Sequence, residues 1–127
     1  MTSRFEEGLK IRKEVLGADR VERTLSEASD FVWPAQQWVT EACWGTVWNR
    51  PGLDRATRSL LNIALLTALG RPVELAGHVR GALTNGCTPE QIQEVLLHTG
   101  VYCGVPAALD AFRTADTVLA EHAEGGH

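Results

Sequence analysis

Three stretches of this chain gather residue types that do chemistry. Trp44-Gly-Thr-Val-Trp-Asn-Arg-Pro-Gly-Leu53 is followed by Arg58-Ser59 and then by Arg71-Pro-Val-Glu-Leu-Ala-Gly-His78. Arginine presents a planar fork that binds carboxylates bidentately, which makes Arg50, Arg58 and Arg71 candidate anion readers. Histidine titrates near neutral pH, so His78 is a candidate for moving a proton or steadying a developing charge. Glu74 lies four residues before it, on the same helix face, where it can fix the ring's tautomer or raise its pKa. A charged pair beside a run of leucines and isoleucines is costly unless it is paired or used. The plain alternatives are a solvated helix pair for Glu74 and His78 and surface or interface roles for Arg58 and Arg71. For Arg50, which precedes Pro51, the alternative is ordering a turn. Trp44 and Trp48 share a helix face, either as core or subunit interface or as a wall that keeps water out of a pocket. Glu41, three before Trp44, is a secondary candidate for proton handling, with a solvated helix carboxylate as its alternative.

The elements that must hold these residues are helices, and nothing in the pattern reads as a strand. A first helix spans about Arg4 to Leu16 and stops at Gly17. A short second one covers Val21 to Ala28. The third starts near Pro34, which suits a first helical turn, and runs through Trp48 until Arg50-Pro-Gly breaks it. Asp54 is the N-cap candidate for a fourth helix, Arg55 to Leu69, apolar around most of its circumference. The fifth runs from Pro72 to about Thr84 and ends at Asn85-Gly86. Thr88-Pro-Glu-Gln91 has the offsets of a capping box with proline in the first turn, opening a sixth helix to about Val101. Gly104-Val-Pro106 breaks the pattern, and a last helix covers Ala107 to about Ala120. The expectation is an all-α domain of about six to seven helices over 1–127, with a polar, frayed tail from about 121 that holds His122 and His127. Cys103 reads as buried packing and His98 as a core or interface histidine.

With 127 residues the chain suits one domain and one sizeable core. Its net charge of −4 and pI of about 5.5 leave no basic footprint for nucleic acid. Its apolar runs are too short and interrupted to span a bilayer. The opening residues lack the pattern of a secretory signal, and three cysteines (Cys43, Cys87 and Cys103) do not form a disulfide framework, so a cytoplasmic protein is expected. No cluster has metal-ligand spacing, and no glycine-rich phosphate loop appears. Four tryptophans and an all-round apolar fourth helix suit a homo-oligomer.

The ordered series FEEGLKIRKEVLG, WGTVWNRPGL, RSLLNIALLTAL, ELAGH and TNGCTPEQIQEVLLHTGVYCGVPAALDAF resembles the carboxymuconolactone decarboxylase family over nearly the whole length. The resemblance implies an AhpD-like helical fold and a ring-like oligomer, most often a hexamer. The wider superfamily includes thiol peroxidases whose motif is a glutamate, a Cys-x-x-Cys and a histidine four beyond. Aligned through His78, the glutamate position falls on Ser59 and the cysteine positions on Arg71 and Glu74. Neither thiol is present, so redox chemistry that needs an attacking and a resolving sulfur is excluded, while the pocket persists with other groups.

What the family implies about chemistry is specific. Its substrate would be 4-carboxymuconolactone, whose ring alkene and lactone carbonyl accept the electrons left when carbon dioxide departs. The intermediate is a dienolate, and no metal or organic cofactor is needed. The enzyme must hold two carboxylates, stabilise the enolate oxygen and supply a proton. Arg50, Arg58 and Arg71, with Ser59, Trp44 and Trp48, are the substrate-binding candidates; His78, Glu74 and Glu41 are the catalytic ones. Two rival readings stay open. One is a related enzyme acting on another lactone or β-keto acid, and the other is a non-catalytic oligomeric binding protein on the same fold.

Overall fold

The computed structural model describes residues 2–125, so the expectation for His127 lies outside it. The described residues form seven α-helices and one π-helical segment, with no strand. The chain gathers into two compact units, Met1–Asp54 and Arg55–His127.

In the first unit, α1 (Arg4–Leu16) is capped by the Ser3 hydroxyl, which accepts from the Glu6 amide, and ends at Gly17 with φ 99°. The chain resumes at once as α2 (Ala18–Glu27), three residues earlier than the apolar pattern suggests, because glycine takes the left-handed turn without strain. Next, α3 (Trp33–Val39) passes directly into a π-helix, Thr40–Val47, so the single helix expected through Trp48 changes its winding midway. Packing accounts for the site of this change. A Cβ at Gly8 would collide with the Thr40 carbonyl oxygen, and the Gly45 amide lies 2.7 Å from the same position. Glycine on both surfaces lets α1 lie backbone to backbone on the π-helix. Ile11, Val15, Trp44 and Trp48 form the core of this crossing.

The second unit holds α4 (Arg55–Leu69), α5 (Pro72–Thr84), α6 (Pro89–Cys103) and α7 (Val105–Glu124). The bounds of α4 and α5 are those that the punctuation predicts. The capping box at Thr88 is present, the Gln91 side chain accepting from the Thr88 amide at 2.9 Å and the Thr88 hydroxyl from the Gln91 amide at 3.1 Å. Ile63, Leu75, Val79, Ile92, Leu96, Ala111 and Val118 meet in one core. At the α6–α7 crossing a Cβ on Gly100 would stand 2.8 Å from that of Ala108.

Several expectations need correction. The last helix starts at Val105, since Pro106 fits a first turn, and continues to Glu124, so His122 is half-buried in a helical turn and not in a frayed tail. Cys103 is exposed, because the final residue of α6 stands at a helix end. His98 is not in the core but exposed, its ring 4.9 Å from that of Tyr102 one turn on, which leaves the interface alternative of its reading. None of the three cysteines is in a disulfide.

Candidate active site

The second unit brings His78 against α4. Its Nδ1 lies 3.4 Å from the Asn62 side-chain nitrogen, across the α4–α5 seam. The ring is half-buried, and burial pushes its pKa down from 6.5 to about 4 against the opposing pull of the Glu74 charge. Desolvation wins because Glu74 is exposed and water screens it. At neutral pH the imidazole is therefore uncharged. An uncharged ring whose Nδ1 accepts from Asn62 carries its proton on Nε2.

Arg58 is half-buried one turn before Asn62 on the same face of α4. Ser59 is fully buried, and its hydroxyl accepts from the Asn85 side chain at 3.0 Å, which pins α4 to the end of α5. Asn85 also reaches the Arg55 carbonyl at 3.5 Å. Thus Ser59, Asn62 and their partners make a polar seam within a leucine-rich pair of helices. Arg71 occupies the N-cap position of α5, exposed, with its amide bonded to the Leu66 carbonyl at 3.0 Å.

The remaining candidates lie in the first unit. Trp44 and Trp48 stack with ring centroids 4.7 Å apart and are 3% and 6% exposed, which makes them core side chains. Glu41 is half-buried on the π-helix and lines a surface depression with Arg4 and Trp38. Arg50 is exposed in the turn that follows, its amide bonded to the Val47 carbonyl at 3.1 Å. Arg12, which the sequence reading passed over, is 8% exposed and donates to the Thr40 hydroxyl at 3.1 Å. Burial lowers its pKa, with the nearby Cys43 thiol pulling the other way.

Sequence reasoning also passed over Asn62, and it read Asn85 only as the end of α5. For Asn62 the available signal was an amide in the middle of an apolar helix, where it lowers helix propensity and has to find a partner. Among the described residues no group of His, Cys, Asp and Glu is arranged to hold a metal ion. No described helix is long and apolar enough to cross a membrane.

Comparison with known proteins adds the family. Residues 34–117 match the carboxymuconolactone decarboxylase family. The chain is 44% identical over 122 residues to nitrosuccinic acid decarboxylase npaB of Metarhizium robertsii, covering 96% of this chain and 85% of that protein. It is also 44% identical over 116 residues to 4-carboxymuconolactone decarboxylase of Acinetobacter baylyi, covering 91% of this chain and 87% of that protein.

Proposed function

The chain belongs to the carboxymuconolactone decarboxylase family, and from that premise we propose that it is a cofactor-independent carboxy-lyase acting on 4-carboxymuconolactone in aromatic catabolism. A second substrate, nitrosuccinic acid, is favoured by a specific observation, the equal identity to a decarboxylase of that acid. The two acids share a chemical logic. Each carries its own electron sink next to the departing carboxylate: an unsaturated lactone in one, a nitro group in the other. Loss of carbon dioxide leaves a dienolate or a nitronate, and in both the charge collects on oxygen.

The observation that carries the reading is His78, held uncharged by burial and oriented by Asn62. In this role its Nε2–H donates to the oxygen on which charge develops. A donor fixed in a partly dry site is worth roughly 3 kcal/mol of transition-state stabilisation. The ring does not serve as a reservoir of acid at neutral pH, since a pKa of about 4 leaves it unprotonated there. In the same proposal Arg58, one turn from Asn62, holds a substrate carboxylate. Glu74, one turn before the ring, relays a proton from solvent to the carbanion carbon, which completes the exchange of carbon dioxide for hydrogen. Glu41, Arg50, Trp44 and Trp48 have no assigned step in this mechanism.

Assembly into a homo-oligomer belongs to the same proposal. Leu61, Leu65 and Leu69, one turn apart on α4, are each 47% or more exposed, a row that suits burial against a second copy. The testing experiment offers purified protein 4-carboxymuconolactone and nitrosuccinic acid in parallel and follows carbon dioxide release. Turnover of the lactone at the higher kcat/KM supports the catabolic enzyme. A preference for nitrosuccinic acid replaces the substrate and keeps the mechanism, while no turnover of either acid by a folded sample refutes the proposal.

A further inference from the structure

Several helical threonines of this chain share a habit that Thr67 breaks. Thr40, Thr99, Thr84, Thr114 and Thr117 each donate the hydroxyl to the carbonyl four residues back, at distances from 2.7 to 3.3 Å. That local bond is the usual way for a helical hydroxyl to be satisfied. Thr67, near the end of α4, is 2% exposed, and its Oγ1 has no hydrogen-bond partner. A buried hydroxyl left in that state costs about 1–3 kcal/mol. Its surroundings give a reason for the exception.

Thr67 lines a cavity of about 390 Å³ bounded by α4, α5 and α7, whose apolar floor includes Leu66 and Leu75. Arg71 lines the same cavity and forms no ion pair or side-chain hydrogen bond among the described residues. The N-terminus of α5 opens there as well: Pro72 also lines the cavity, and the N-cap supplies no side-chain acceptor to the first-turn amides. Those amides and the aligned peptide dipoles favour a negative group. The carboxylate on the wall, Asp110, is bonded to Arg113 at 2.8 Å. The cavity therefore joins a buried hydroxyl without a partner, a guanidinium fork without a carboxylate and an uncapped helix N-terminus.

We infer that this cavity is an anion subsite that takes one carboxylate of a small organic acid, with Thr67 donating its hydroxyl and Arg71 its fork. Arg71 and His78 are seven residues apart along α5, a rise of roughly 10 Å, so the subsite is separate from the imidazole. The inference rests on the decarboxylase reading for its ligand class alone. Two sources of the carboxylate fit the same chemistry: the non-departing arm of the substrate, or a second acid that binds independently.

The test is isothermal titration of malonate, a non-reacting probe, into wild type, Thr67→Val and Arg71→Met at fixed ionic strength, with thermal melts of each protein alone. Wild type should bind malonate and ignore uncharged malonamide, and each variant should bind malonate at least about tenfold more weakly. Thr67→Val should also melt higher than wild type, because a methyl group replaces a hydroxyl that lacks a partner. Where malonate raises the KM for turnover, the subsite holds the substrate's own arm; where it binds without changing KM, it holds a second acid. Absence of binding by wild type, wild-type affinity in both variants, or a lower melting temperature for Thr67→Val overturns the subsite. Turnover without malonate binding rejects the subsite alone, and malonate binding without turnover of any acid rejects the decarboxylase reading alone.

Discussion

The two units bury their nitrogen-rich side chains in opposite ways. In the first, Arg12 keeps its charge while 8% exposed, held by a neutral hydroxyl that in turn donates to the Gln36 carbonyl at 2.7 Å. In the second, His78 sheds its charge, and a neutral amide meets the ring. Guanidinium cannot be neutralised at any pH the fold survives, so the first unit has to solvate it with dipoles. Imidazole can be neutralised, and burial therefore changes its chemistry instead of imposing a standing cost. A buried cation is thus compatible with a structural role, while a buried group that changes charge state is suited to a reaction. The aromatics of the first unit agree, since Trp44 and Trp48 are core side chains of the same unit as Arg12.

The contrast can be broken most severely at the imidazole. His78→Gln should fold normally and lose at least about a hundredfold in kcat, the loss expected for a donor aimed at the reacting oxygen. Steady-state kinetics on the preferred acid, with circular dichroism as a control, decide it; near wild-type turnover would take His78 out of the mechanism. The next effect is one of scaffold. Gly8→Ala should destabilise the first unit by about 3 kcal/mol, because a methyl group there meets backbone that has no room to move. Urea titration should show a lower midpoint, and an unchanged one would contradict the close crossing.

A smaller effect comes from pH. A histidine whose folded pKa lies below its unfolded value contributes stability above pH 6.5 and loses it as pH falls toward about 4. Wild type should lose stability across that window more steeply than His78→Gln, as read from melting temperatures at matched ionic strength. Equal slopes would mean that the ring titrates normally. Smallest is Thr88→Ala, which removes one half of the capping box and should cost about 1 kcal/mol without changing kcat. Denaturant melts and kinetics together check that separation.

Much of the helical layout was legible because its signals are local. Thr88-Pro-Glu-Gln91 caps α6 through bonds that span three residues, and Gly70-Arg71-Pro72 and Asn85-Gly86 bracket α5 in the same short-range way. The π-helix was not legible. Its winding accompanies the close approach of α1 at Gly8 and Gly45 and the Arg12–Thr40 bond, which joins residues 28 positions apart. The candidate site divides along the same line. His78 could be singled out from its type and from its place in the ELAGH segment. For Asn62 the amide inside an apolar helix was legible but its partner was not, since the bond to His78 crosses 16 residues and two helices. Ser59 illustrates the reverse: superfamily alignment marks it as a pocket position, whereas its environment is a buried bond to Asn85.

The measurement that bears most directly on an uncharged, oriented His78 is a nitrogen-15 NMR titration of its imidazole, assigned by comparison with His78→Gln. The proton should reside on Nε2 at neutral pH, with a titration midpoint near 4. A midpoint near the ordinary 6.5, or a proton resident on Nδ1, would contradict an uncharged, oriented ring.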